Sequence, residues 1–386
     1  MADAHLPLLI RGATLLTPEP AGEGDLLLAG GRILALGGRI EPGTGFPCRT
    51  VDGRGLVACP GLVDSLVHLS GGGGEGGFQT RTPALVAGDA LAAGVTTLIG
   101  ALGTDDVTRS HADLLASARA LAAHGLSAYC LSGSYRVPVR TLTGSLRDDL
   151  VLVPDIIGVG EIAIADHRGS QPDVAELARI AADARVGGML AGKRGTVLVH
   201  VGDGEEGLSL LHAVCDRHPV PPGQFHPTHG NRHARLLEEV VAWVARGGSV
   251  DLTASTTPAL VEAGDVPAAQ ALARLLAAGV DPARITLSSD GQASLPDFDA
   301  GGELRGIEAA SVASLLQSVV EAVRGCDLPL PAALAPVTSN PARIWGLPRK
   351  GRLAPGCDAD VLLLDAGDLA LRATVAGGQL HRFGLG

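Results

Sequence analysis

His68, Glu161, His200, His229 and Asp290 are polar residues set in or at the end of otherwise apolar runs, and Tyr135 follows another such run. Glu161, His200 and His229, together with Asp290, offer an oxygen and nitrogen set suited to zinc or a similar divalent ion. The Glu/His/His trio leaves a coordination position open for water, which is the arrangement of a catalytic site rather than a structural one. Taken singly, each histidine has an ordinary reading as a satisfied core or surface residue. It is their convergence that points to a metal.

Such residues must be held at one end of a common scaffold. Eight β-rich runs recur along the chain: Gly61 to Leu69, Val95 to Leu102, Ser127 to Ser134, Ile156 to Ile164, Thr196 to Gly202, Gln224 to Gly230, Ser249 to Ser255 and Arg284 to Gly291. Helical patterns lie between them. Leu236, Leu237, Val240, Val241 and Val244 form an apolar stripe closed by Gly247-Gly248, and Val174, Leu177 and Ile180 form another. Strand and helix alternating eight times predict an α/β fold, a (β/α)₈ TIM-type barrel, whose reacting groups sit at the C-terminal ends of the strands. Those ends carry the residues above. A doubly wound open sheet is the rival, but Gly71-Gly72-Gly73-Gly74 lacks the spacing of a dinucleotide loop and reads only as a flexible loop.

Both chain ends read as β structure. Short apolar runs (Leu8-Leu9-Ile10, Leu26-Leu27-Leu28, Ile33 to Leu36) are broken by glycine, with Gly30-Gly31 a hairpin signal, and Asp360 to Asp365 is strand-like. The expected organisation is a small β-sandwich domain from residues 1–57 plus 349–386, and a hydrolase barrel over residues 58–348.

The 386 residues suffice for this, and 46% hydrophobic against 18% charged residues indicates a compact globular chain. With 30 Lys plus Arg against 41 Asp plus Glu, the formal charge of −11 argues against a nucleic-acid or anionic-membrane partner. A small molecule is the expected ligand. Met1 to Thr14 has no basic start, and no run approaches the roughly 18 apolar residues of a membrane span, so a cytoplasmic protein is expected. The six cysteines are scattered, with no Cys-x-x-Cys pair, and are expected as free thiols.

Asp64-Ser65-Leu66-Val67-His68, Gly71-Gly72-Gly73-Gly74-Glu75, Gly103-Thr104-Asp105, Asp166-His167-Arg168, Pro227-Thr228-His229-Gly230-Asn231-Arg232 and Leu287-Ser288-Ser289-Asp290-Gly291 together resemble the isoaspartyl dipeptidase family of the amidohydrolase superfamily. The likeness runs nearly end to end and includes Gly356 to Asp360. The resemblance implies that His68, Glu161, His200, His229 and Asp290 are metal ligands, that Asp290 also shuttles the proton, and that Tyr135 polarises the scissile carbonyl. It assigns substrate recognition to Glu75, Thr104, Arg168, Arg232 and Ser294. Glutamate would meet an ammonium and the arginines carboxylates, as a zwitterionic dipeptide with an extra acid requires. A homo-oligomer is also expected.

Two positions depart from the family pattern. Its first barrel strand ends in His-x-His, where this chain has Leu66-Val67-His68, and its fourth strand carries a lysine that becomes carbamylated, where this chain has Glu161. Neither Lys193 nor Lys350 falls in that strand. The expectation is therefore one tightly bound Zn²⁺ held by Glu161, His200 and His229, with a second metal on His68, Glu161 and Asp290 weak or absent. Hydrolysis of β-aspartyl dipeptides is the leading function. Hydrolysis of another N-acyl amino acid or cyclic amide is a second reading, and a non-catalytic binding protein descended from a hydrolase, suggested by Leu66, is a third.

Overall fold

A computed structural model describes residues 6–43, 47–298 and 304–382. The first five residues of the expected non-basic start lie outside it. The chain begins with β1 (Leu8–Leu16), β2 (Pro20–Ala29), β3 (Arg32–Gly37), β4 (Arg49–Asp52) and β5 (Leu56–Pro60). The Gly30-Gly31 turn joins β2 to β3 with both glycines at positive φ (58° and 71°), the geometry of a tight hairpin that a side chain would resist.

Eight parallel strands follow: β6 (Leu62–Val67), β7 (Val95–Gly100), β8 (Ser127–Ser132), β9 (Ile156–Ile164), β10 (Thr196–Val201), β11 (Phe225–Thr228), β12 (Val250–Thr253) and β13 (Ile285–Ser288). They coincide with the eight runs read from the sequence. β6 to β11 form one hydrogen-bonded sheet and β12–β13 a second pair. Two seams complete the barrel: Gly230 N–H donates to Asp251 O (3.0 Å) and His68 N–H to Gly291 O (2.8 Å). The second seam fixes the backbone of His68 beside the turn that carries Asp290.

The helices occupy the predicted stretches. Val174–Ala191 starts in a capping box between Asp173 and Glu176 and stops at Gly192, whose φ of 67° suits glycine. Ala234–Ala245 buries Leu236, Leu237, Val240 and Val244 against the strands.

The barrel interior is divided by chemistry. Leu66, Ile99, Leu131, Ile157, Leu198 and Trp345 form a buried apolar cluster. β6 and β11 to β13 bury polar residues as well: Asp251 accepts from Thr228, Thr286 and Ser288 hydroxyls, and Asp64 accepts from the backbone and hydroxyl of Ser289. Burial pushes the Asp64 carboxyl up to about 8 and that of Asp251 to about 6, against the pull of these donors.

After β13 a hairpin of β14 (Ser294–Phe298) and β15 (Leu304–Ala309) pairs with no other strand among the described residues. Its base is closed by Gln292 N–H to Ala310 O and Ala310 N–H to Ala293 O. The chain returns through β16 (Val361–Asp365), β17 (Leu371–Ala376) and β18 (Gln379–Arg382) to join the first five strands in one mixed sheet. Where a small β-sandwich was expected, both chain ends contribute to a single continuous sheet. It branches at β1, which pairs with β4 through Leu8 to Arg11 and with β5 through Thr14 and Leu15. Its own core includes Leu8, Ile10, Leu26, Leu28, Ile33, Val361 and Val375. No helix among the described residues is long and apolar enough to cross a membrane.

Candidate active site

At the C-terminal end of the barrel, Glu161 projects from β9, a strand whose nine residues are all buried. Its Oε2 lies 3.5 Å from His200 Nδ1 and 3.7 Å from His229 Nε2, while Oε1 lies 3.9 Å from His68 Nε2. One ligand atom from each of Glu161, His200 and His229 falls within 4.8 Å of the others. Both carboxylate oxygens of Glu161 are buried without a hydrogen-bond partner. A buried carboxylate left in this way is costly unless a cation meets it, so the donor set fits a divalent ion. Burial alone would raise the Glu161 carboxyl, but the neighbouring His200 and His229 hold it well below the usual carboxylate range.

His68 and Asp290 stand beside this trio. Asp290 Oδ1 is 3.2 Å from His68 Nε2, and His68 Nδ1 contacts the Ala101 carbonyl at 3.3 Å. Burial pulls the His68 imidazole down, but Asp290 and Glu161 outweigh it and carry the group up to about 9. His229 and Asp290 both adopt left-handed backbone, φ 63° and 52°, uncommon for residues with a side chain and concentrated where a chain must aim a functional group. Burial, with His200 and Arg232 nearby, lowers His229 to about 4, so its ring is neutral and able to ligate.

Tyr135 Oη sits 2.7 Å from His200 Nδ1, and Asp166 Oδ2 sits 2.8 Å from His200 Nε2. Burial and the nearby Glu161 raise the phenol well above its ordinary value, so it stays protonated. Burial would raise Asp166 too, but His200 and Arg168 hold it well below the carboxylate range.

Above the floor opens a cavity of about 240 Å³. On one wall Thr104 Oγ1 donates to Glu75 Oε1 at 2.8 Å, and Arg168 Nη1 is 3.7 Å from the same oxygen. Arg168 also lies over the Tyr135 ring, 5.5 Å from its centroid. The cavity is also lined by Arg232, whose Nε is buried and unpartnered, and by Ser294 at the start of β14, whose side chain lies against Gly73. The glycine run is a loop, but a pinned one: the buried Arg109 guanidinium donates to the carbonyls of Ser70, Gly72, Gly73 and Thr82. That clamp fixes where Glu75 emerges.

The profile of the amidohydrolase family matches residues 226–380. The crystal structure of β-aspartyl dipeptidase from Fervidobacterium islandicum AW-1, in complex with β-Asp-Leu dipeptide, superposes with a TM-score of 0.90 at 38% identity over 99% of both chains. The chain belongs to the amidohydrolase family. This amidohydrolase is also 27% identical to allantoinase from Deinococcus radiodurans, over 94% of this chain and 87% of that one. D-hydantoinase shares the fold at 20% identity and a TM-score of 0.66. The chain is thus a homologue of β-aspartyl dipeptidase, an enzyme of the amidohydrolase type with a buried Glu/His/His ligand group.

All the residues singled out in the sequence come together. His68, Glu75, Thr104, Tyr135, Arg168, His200, His229, Arg232, Asp290 and Ser294 line the one cavity, and Glu161 lies beneath it. Four supporting residues carried no signal of their own: Asp166, Thr253, Asn231 and Arg109. Asp166 stands inside the quoted Asp166-His167-Arg168 motif, where a carboxylate two residues before an arginine could have been read as its clamp. Asn231 likewise stands inside the quoted motif that ends at Arg232, while Thr253 and Arg109 act through contacts that sequence spacing does not reveal.

Proposed function

We propose that this amidohydrolase cleaves the β-aspartyl amide bond of dipeptides, using one tightly held zinc ion. The observation that carries the proposal is the placing of Glu75 beside Arg168, with Arg232 on the same cavity, above the Glu161/His200/His229 floor; Asp105, Arg109, Asp265 and Asp290 also line it. A β-aspartyl dipeptide presents the complement, one ammonium and two carboxylates. Its ammonium and one carboxylate share a single carbon, which suits the 3.7 Å spacing of Glu75 and Arg168. In an α-aspartyl dipeptide the same two groups lie on different carbons. The likeness to a dipeptidase crystallised with β-Asp-Leu supports the same substrate class.

Glu161, His200 and His229 would hold the ion, and a zinc ion there supplies an acidified water and polarises the scissile carbonyl. The Asp290 carboxylate takes the proton of the attacking water and delivers it to the departing amine nitrogen. The Tyr135 hydroxyl donates to the carbonyl oxygen as it gains negative charge. Glu75 binds the substrate ammonium, with Thr104 holding the carboxylate in place. Arg168 and Arg232 bind the two substrate carboxylates through charge-assisted hydrogen bonds, and Ser294 adds a hydroxyl beside the glycine loop. His68, with Glu161 and Asp290, would offer only a weak second metal position because Leu66 supplies no imidazole. A cytoplasmic setting, in keeping with six free cysteines, and a homo-oligomeric state belong to the same reading.

The test is metal content of the desalted protein measured alongside hydrolysis of β-Asp-Leu, with α-Asp-Leu as control. About one zinc per chain and β-selective turnover are expected. Metal without turnover of either dipeptide would move the assignment to another amide, and neither metal nor turnover would make the protein a non-catalytic homologue.

A further inference from the structure

We propose that Asp166 is a positioning residue that ties metal binding to substrate binding, because its one buried carboxylate orients both the His200 imidazole and the Arg168 guanidinium. The substrate half of this rests on the dipeptidase reading; the metal half does not.

The Asp166 side chain is 2% exposed. Its Oδ2 accepts from His200 Nε2 at 2.8 Å and from Arg168 Nη2 at 2.7 Å, and its Oδ1 accepts from Arg168 Nε at 3.0 Å and from the Arg168 backbone N–H at 2.8 Å. The two guanidinium contacts are parallel, the paired geometry that fixes direction as well as distance. Asp166 lies in the turn that follows β9, the strand bearing Glu161. One strand therefore supplies a ligand directly and, through its next turn, sets the ligand on its neighbour β10.

Two consequences follow from this geometry. With Nε2–H donated to Asp166, His200 carries its lone pair on Nδ1, which accepts from the Tyr135 hydroxyl at 2.7 Å and lies 3.5 Å from Glu161 Oε2. A carboxylate on the outer nitrogen both selects that tautomer and makes the imidazole a stronger ligand. With Nε and Nη2 engaged by Asp166, Arg168 is left with Nη1 on the side of Glu75, 3.7 Å from Oε1, where a substrate carboxylate would sit next to its ammonium. Displacing the Asp166 carboxylate releases both groups at once. Removing Arg168 alone releases only the second.

The experiment uses the full chain, stripped of metal, in wild-type, Asp166→Asn and Arg168→Met forms. Zinc dissociation constants are measured by competition with a chromophoric chelator in the absence of substrate; KM and kcat for β-Asp-Leu are measured at saturating zinc. Asp166→Asn is expected to weaken zinc about 10- to 100-fold and, with zinc restored, to raise KM at least roughly tenfold, as lost uniform binding does. Arg168→Met is expected to raise KM and leave zinc affinity within about threefold, since it removes only a long 3.4 Å contact to His200 Nε2 and leaves the 2.8 Å contact to Asp166 in place. An Asp166→Asn protein with wild-type zinc affinity, or with weakened zinc but an unchanged KM at saturation, overturns the coupling. Should that variant not fold, Asp166→Glu moves the same charge by one methylene and is read the same way: both constants shift or the proposal fails. Absence of β-Asp-Leu turnover in the wild-type protein would overturn the dipeptidase reading alone, and the zinc constants would still uphold or overturn the role of Asp166 towards His200.

Discussion

The Thr253 hydroxyl oxygen lies 2.6 Å from Nδ1 of His229, while Nε2 of the same ring faces Glu161 at 3.7 Å. Thr253 is itself clamped: its N–H donates to Asn231 Oδ1 and its carbonyl accepts from Asn231 Nδ2. The ring is thereby held with Nδ1–H donating outward and the Nε2 lone pair inward. Thr253→Val keeps the shape and removes the oxygen. Zinc affinity should fall about tenfold, the low end for loss of a ligand's outer partner, as read by chelator competition. An unchanged constant would mean that His229 does not ligate through Nε2.

Tyr135→Phe removes the proposed donor to the oxyanion without altering the ring that Arg168 covers. Loss of one such donor costs about 10²- to 10³-fold in kcat, because the interaction strengthens only as charge develops. KM for β-Asp-Leu should change little. A rise in KM at constant kcat would instead make Tyr135 a ground-state binding group.

Arg232 offers a buried Nε with no partner in the protein, an unusual state for a guanidinium and one that a carboxylate ligand would relieve. Arg232→Met should raise KM about ten- to a hundredfold with kcat largely kept, matching the loss of a charge-assisted bond of about 1.5–3 kcal/mol. Steady-state kinetics over a wide range of β-Asp-Leu concentrations decides it, and an unaltered KM would place the substrate carboxylate elsewhere.

The barrel was legible because its strands are apolar runs ended by turns, and because its chemistry lies where those runs stop: His68, His200 and His229 stand out as polar residues in hydrophobic text. What pairs across long separations was not. Asp64 and Ser289 are 225 positions apart and meet only because β6 closes on β13. The β14–β15 hairpin was equally hidden, since Leu295-Pro296-Asp297-Phe298 breaks the alternation that marks a strand. The glycine run reads as flexible by composition, yet the Arg109 clamp that orders it lies some forty residues away and leaves no local pattern.

Asp64 gives the fold a pH dependence of predictable sign. Its carboxyl, raised to about 8 by burial, keeps a proton in the folded chain that the unfolded chain releases near pH 4. The native state therefore binds more protons between about pH 4 and pH 8, and this group makes stability fall as pH rises through that window, by at most about 1.4 kcal/mol per pH unit. Asp64→Asn should flatten the profile. Thermal unfolding of the metal-free protein from pH 5 to 8 tests this: an equally steep decline in the variant would assign the effect to other groups, Asp251 first among them.

Leu66 is fully buried in the apolar cluster with Ile99, Leu131, Leu198 and Trp345, near the end of β6 and two residues before His68, which directly follows the strand. Side chains at that spacing share a face, so an imidazole at position 66 would project from the same side of β6 as His68. Leu66→His replaces packed hydrocarbon by a polar ring, and without metal the protein should lose about 1–3 kcal/mol of stability. The same ring completes a His/His pair beside Glu161 and Asp290, so a second zinc equivalent should bind and recover much of that loss, because a ligand that binds only the folded form stabilises it. Metal analysis and calorimetry on the variant read both effects. A destabilised protein that still takes one zinc would show that the apolar cluster, rather than the missing imidazole alone, closes the second position.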